Sequence, residues 1–110
     1  MIRREKKEKV EVVSFEIDTI NALVTDEVRE QITAILENGT TKLVIDLTGV
    51  RYIDSSGFGC LLAISRGAKN SFCSLIFCCL EPEVRKVIEM LHLHTVFHIA
   101  QTRDEALARV

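Results

Sequence analysis

From Val10 to Ile17 the side chains alternate, with Val13, Phe15 and Ile17 on one side and Val10, Val12 and Ser14 on the other. This two-residue period is that of a β-strand, with apolar groups on both faces near its start. Ile20 to Val24 reads as a short extended link. The period then changes: Val28, Ile32, Ile35 and Leu36 recur at helical spacing, which predicts an amphipathic helix of about three turns laid by one stripe on a sheet. Thr25 offers this helix an N-cap, Asp26 and Glu27 sit at the positive end of its dipole, and Asn38-Gly39 stops it.

The second half repeats the theme. Leu43-Val44-Ile45, inside Lys42 to Leu47, is apolar without alternation, as an inner strand covered on both faces would be. Cys73 to Leu80 predicts a second such strand. Between them Cys60 to Lys69 reads as a helix, with Phe58, Leu61 and Leu62 on one side and Gly57, Cys60, Ile64 and Gly67 on another. Those small residues allow close approach, either by a partner or by the helix's own sheet. Glu81-Pro82-Glu83 opens a third helix with a buried stripe of Val84, Val87, Ile88 and Leu91. Val96 to Ala100 reads as a short last strand. Thr102-Arg103-Asp104-Glu105 has the spacing of a capping box leading into Ala106 to Val110. The charged run Arg3 to Lys9, five basic against two acidic side chains, is a solvated lead-in or an edge strand. Strands alternating with helices imply an α/β domain with a mostly parallel central sheet of four to five strands and about four helices.

Composition narrows the function classes. With 110 residues, about half of them apolar, the chain suits one domain over 1–110 with a single core. A formal charge of −2 with mixed signs argues against a surface built to hold nucleic acid. No apolar run approaches the roughly 20 residues that span a bilayer, so no membrane insertion is expected. The start lacks the apolar segment of a signal peptide, and the expected location is the cytoplasm. Cys60, Cys73, Cys78 and Cys79 form no Cys-x-x-Cys pair and read as buried free thiols in a reducing compartment.

Candidate chemistry concentrates in Val50 to Gly59, where a strand passes into a helix and two hydroxyls and two glycines fall at the seam. The first turn of a helix has unpartnered N–H groups and a partly positive dipole end, so an anion placed there is stabilised. Asp54, Ser55 and Ser56 are equally good N-caps, so the seam is open to a bland reading as a capped helix start. Serine catalysis lacks a partner: His92, His94 and His98 lie near the last strand, and no Gly-x-Ser-x-Gly elbow is present. The three histidines lack a completing acidic or thiol group at a familiar metal spacing. Neither Gly-x-x-x-x-Gly-Lys-Ser/Thr nor Gly-x-Gly-x-x-Gly occurs. No enzymatic activity, cofactor or metal is therefore expected. What remains is a binding module switched by a covalent phosphate, which adds about −1.5 to −2 charges at neutral pH.

Ile53-Asp54-Ser55-Ser56-Gly57-Phe58-Gly59, after Leu43-Val44-Ile45-Asp46-Leu47 and before Leu61-Leu62, closely resembles the signature of the STAS family of bacterial anti-sigma-factor antagonists and their relatives. The resemblance implies a single STAS-like domain in which Ser55, the serine after the aspartate, is phosphorylated. Asp54, Ser55, Ser56, Gly57, Phe58 and Gly59 would then meet the partner. That partner would be an anti-sigma factor that is also a serine kinase, using ATP; binding would release a sigma factor for transcription, and a PP2C-type phosphatase would remove the phosphate. Many family members carry Gly-x-Ile/Leu-Asp near the phosphosite, whereas Phe15-Glu16-Ile17-Asp18 stands here without the glycine, which bears on partner identity. The competing reading is a STAS-like scaffold subunit of a sensory or transport assembly, with Ser55 and Ser56 acting only as a helix cap.

Overall fold

A computed structural model describes all residues, Met1–Val110. The first half contains β1 (Ile2–Lys7), β2 (Val10–Phe15), β3 (Thr19–Ile20), α1 (Thr25–Glu37) and β4 (Lys42–Asp46). The second contains β5 (Tyr52–Ile53), α2 (Ser55–Asn70), β6 (Ser74–Cys78), α3 (Pro82–Met90), a 3-10 turn (Leu93–Thr95), β7 (Ile99–Ala100) and α4 (Arg103–Arg109). The main sheet has the order β1-β2-β4-β6-β7. β1 is antiparallel to β2, and every other pairing is parallel. The charged run is thus an edge strand, and its basic side chains protect that edge against pairing with another chain.

The alternation in β2 divides the core. Val13 and Phe15 join the larger apolar cluster, together with Ile32, Ile35, Leu61 and Ile88 from α1, α2 and α3. Val10 and Val12 face the other way, into a smaller cluster with Val44, Ile76 and Ala106 under α4. Leu43, Val44 and Ile45 are fully buried, as a strand covered on both faces requires.

Several boundaries differ from the sequence pattern. β2 stops at Phe15, short of Ile17, and of the Ile20 to Val24 link only Ile20 is extended, as the end of β3, which pairs with Tyr52–Ile53 as a small parallel ladder outside the main sheet. Asn21 then turns the chain: its side chain accepts the Leu23 N–H at 3.0 Å, and its carbonyl accepts the Val24 and Thr25 N–H groups. Thr25 is consequently the first helical residue, not the cap; Val24 holds that position without a side-chain bond. The α3 stripe is narrower than expected, since only Val84 and Ile88 are buried while Val87 and Leu91 are exposed. Leu91 lies past the helix end, and His92, at φ +57°, turns the chain away. The last strand is also shorter, because the Val96 and Phe97 N–H groups bond to the Leu93 carbonyl and draw these residues into the 3-10 turn. Phe97 is instead buried against Phe77, with ring centroids 4.8 Å apart.

The small-residue side of α2 faces its own domain. Cys60 Sγ lies 3.6 Å from the Thr25 carbonyl, and a Cβ at Gly67 would touch Leu36 at 3.5 Å, so this side is where α1 and α2 meet.

Candidate functional site

In an open α/β sheet the carboxyl ends of the strands are where sites form, and the Val50 to Gly59 stretch lies there, following β4. Asp54 is extended (φ −88°, ψ −175°) and caps α2: its Oδ1 accepts the Gly57 N–H at 2.9 Å while its carbonyl accepts the Phe58 N–H at 2.9 Å. With the cap supplied by the carboxylate, Ser55 and Ser56 occupy the first two helical positions. Both are exposed. The sequence offered all three residues as caps; tertiary structure selects Asp54 and leaves the Ser55 hydroxyl available to solvent.

The remaining candidate residues divide by direction. Gly59 is exposed, with open space where a Cβ would stand. Gly57 and Phe58, expected in the partner-facing group, lie inside the domain instead. A Cβ on Gly57 would strike the Ile20 carbonyl oxygen and Ile53 Cγ2, and Phe58 is only 6% exposed. Their role is to seat the first turn of α2 on β3 and β5, and that seating aims Ser55 outward.

The seat is itself tied down. Arg51 and Tyr52 donate their N–H groups to the Asp18 carbonyl at 2.8 and 3.1 Å, and Asp54 donates to the Ile20 carbonyl at 3.3 Å. The segment Phe15-Glu16-Ile17-Asp18, distant in sequence, is thereby held beside the Arg51-Tyr52 end of the loop that leads into α2. Gly49, at φ +83°, donates its N–H to Glu81 at 2.7 Å, and Arg51 pairs with Glu83 at 3.2 Å, joining the same loop to the start of α3. The Glu83 carboxyl is held below its ordinary range by its own backbone N–H at the helix start and by Arg51. Arg51 is therefore already engaged by a carboxylate, and the Asp54 carboxylate adds negative charge next to Ser55.

Sequence reasoning missed two large exposed side chains on the segments that flank the β3–β5 ladder, Leu23 at 91% and Tyr52 at 70% exposure. Leu23 fell into an unpatterned link. Tyr52 had a usable signal, since it neighbours the buried Ile53 in an extended segment and so must point the opposite way. A hollow of about 740 Å³ alongside is lined by Ile17, Asp18, Thr19, Leu23, Val24 and Gly49 among others.

Elsewhere, ligating atoms of Asp46, Cys78 and Cys79 lie within 4.8 Å of one another. The Asp46 oxygens are already occupied, one by the Thr48 N–H and hydroxyl at 2.9 and 2.6 Å, the other by Arg103 Nε at 2.9 Å. Burial, the adjoining Cys79 thiol and the Asp46 charge push the Cys78 thiol far up, keeping it protonated. The rings of His92 and His94 stand 6.0 Å apart on the exposed 3-10 turn, and His98 lies beyond it.

No helix of the chain is long and apolar enough to cross a membrane. The STAS domain model matches residues 3–106. A Bordetella bronchiseptica protein named as a candidate anti-sigma factor antagonist, BtrV, is 27% identical over 89 residues, 81% of this chain and 77% of its own. The crystal structure of an anti-sigma factor antagonist from Mycobacterium paratuberculosis superposes with a TM-score of 0.89 at 25% identity, over 100% of this chain and 92% of that one. SpoIIAA shares the fold at 22% identity. Its unphosphorylated form gives a TM-score of 0.79 and its phosphorylated form, from Bacillus, 0.73, each over 99% of this chain and over 95% and 98% of those chains. With the family model matched almost end to end and the predicted α/β architecture in place, this chain belongs to the STAS domain family, and both the Bordetella and the Mycobacterium relatives are named as anti-sigma factor antagonists.

Proposed function

We propose that this chain is an anti-sigma factor antagonist that works as a phosphorylation-controlled partner switch in the cytoplasm. The observation that carries the reading is an exposed Ser55 hydroxyl at the first position of α2, released from capping by Asp54. In the unmodified protein, Asp54, Ser55, Ser56 and Gly59 meet an anti-sigma factor that is also a serine kinase, and a sigma factor is released. The kinase transfers the γ-phosphoryl group of ATP to Ser55 Oγ, the hydroxyl proton passes to a base on the kinase, and ADP leaves. A PP2C-type phosphatase returns the serine by hydrolysis.

Magnitudes explain why the phosphate blocks docking and leaves the fold intact. In solvent, repulsion between the phosphate and the Asp54 carboxylate is only about 1 kcal/mol per pair of unit charges at 4 Å. The free N–H groups at the helix start offset part of that. Inside an interface the phosphate must be desolvated, at a cost of several kcal/mol per ion, and Arg51 is already committed to Glu83. A loss of several kcal/mol is a loss of at least about a hundredfold in affinity.

Intact-mass measurement after incubation with ATP and the cognate kinase tests the reading. One added phosphate is expected, absent from Ser55→Ala, and Ser55→Asp is expected to lose the anti-sigma factor while keeping its circular dichroism. Undiminished binding by Ser55→Asp would overturn it. The scaffold alternative, in which the serines only cap the helix, is disfavoured by the Asp54 cap.

A further inference from the structure

A second surface lies toward the far end of α2 from Ser55, between the last turns of that helix and the outer edge of β6. It is a groove of about 550 Å³ whose apolar lining includes Leu62, Leu75, Phe77 and Val96. Arg66 and Lys69 supply its charge, His98 adds an imidazole, and no carboxylate contributes. That one-sided charge is notable in a chain where 16 acidic side chains outnumber 14 basic ones. Arg66 and Lys69 enter none of the chain's ion pairs.

The groove also borders an open sheet edge. β7 pairs only with Phe77 and Cys78, so the first backbone bond on that side of β6 is the Phe77 N–H to the His98 carbonyl at 2.9 Å. Residues two apart on a strand direct their backbone groups to the same edge, and Leu75 therefore turns its N–H and C=O outward with no strand beside it. An edge of this kind is a template for an added strand.

We propose that this groove takes an extended, acidic and apolar peptide segment of a partner protein, which adds a strand beside Leu75 and sets carboxylates against Arg66 and Lys69. Its apolar side chains rest on Leu62 and Val96. An amphipathic carboxylate such as a fatty acid would match the volume and the charge but leave the Leu75 backbone unpaired, which favours the peptide. The site stands apart from Ser55 and does not depend on the phosphate.

The test titrates a fluorescein-labelled peptide alternating leucine with glutamate against the full chain, read by anisotropy and backbone amide NMR. Saturable binding is expected, with shifts at Leu62, Leu75 and Val96 and none at Ser55. Combined Arg66→Glu and Lys69→Glu should weaken binding about tenfold or more, since unlike charges across an interface become like. Val96→Asp should also weaken it, and Ser55→Asp should not. The amide spectrum of each variant reports that the fold is kept. No binding at millimolar peptide, equal binding of a leucine-lysine peptide, or shifts confined to another face would overturn the proposal. So would dodecanoate producing the Leu62 and Val96 shifts where the peptide produces none.

Discussion

Gly57 and Gly59 stand two residues apart in one helical turn and are glycines with opposite consequences. A Cβ at Gly57 meets the backbone of Ile20, which is held by the β3–β5 ladder, whereas a Cβ at Gly59 meets nothing. Gly57→Ala should therefore lower stability by about 1–3 kcal/mol through overpacking. Gly59→Ala should raise it by about 0.5–1 kcal/mol, because alanine restricts the unfolded chain more and suits a helix interior. Urea denaturation of both variants checks the pair, and equal effects would mean that the close approach at Ile20 relaxes freely. The same measurement separates the cap from the switch residue: Asp54→Ala should cost about 0.5–2 kcal/mol, and Ser55→Ala should stay within about 0.5 kcal/mol of the parent. These distinctions were only half visible in the sequence, where Asp54, Ser55 and Ser56 are interchangeable as caps. A carboxylate one position earlier suffices to remove both serines from structural duty.

At the scale of the element, α2 carries the site at one end and a strained stop at the other. Its last turn closes through the Phe72 N–H to the Lys69 carbonyl at 3.2 Å and the Cys73 N–H to the Ala68 carbonyl at 2.8 Å, with Phe72 at φ +57°. That left-handed position favours glycine, yet it holds a phenylalanine that is 91% exposed. Phe72→Gly removes the steric cost of the left-handed backbone and loses almost no buried area. It is expected to stabilise the domain by about 0.5–1 kcal/mol in chemical denaturation. A loss of stability would show that the ring has packing partners in solution. Helical periodicity located α1, α2 and α3 well, because a stripe repeating every three to four residues has few other uses. It failed at Val87 and Leu91, since α3 touches the core along a strip only two residues wide, and at Val96, which the 3-10 turn removes from the sheet.

Across the whole molecule, one polar link reinforces the apolar contact of α4 with the sheet and extends it to the edge strand. Arg103 at the start of α4 pairs with Asp46 at the end of β4 and with Glu5 on the edge strand β1. Burial opposes ionisation of Asp46, but hydrogen bonds from Thr48 and the Arg103 guanidinium outweigh it, so the folded carboxyl titrates below its ordinary 3.8. A depressed folded value means that the stabilisation is complete above the ordinary value and lost as pH falls through the lower one. Urea midpoints should therefore decline between about pH 5 and about pH 2, and Asp46→Asn should flatten that decline while costing about 1–3 kcal/mol at neutral pH. In a domain whose total stability is about 5–15 kcal/mol, that is a large fraction. By itself the sequence determined the α/β class, the inner strands, the helical stripes and the family signature around Ser55, because each is written in short-range spacing or in contiguous residue types. Tertiary structure alone decided which residue caps α2, that Gly57 and Phe58 turn inward, that the Asp18 carbonyl anchors Arg51 and Tyr52, and that β7 leaves the β6 edge open. Those outcomes depend on which distant backbone groups meet, and spacing along a chain does not encode a contact until the sheet has brought the strands together.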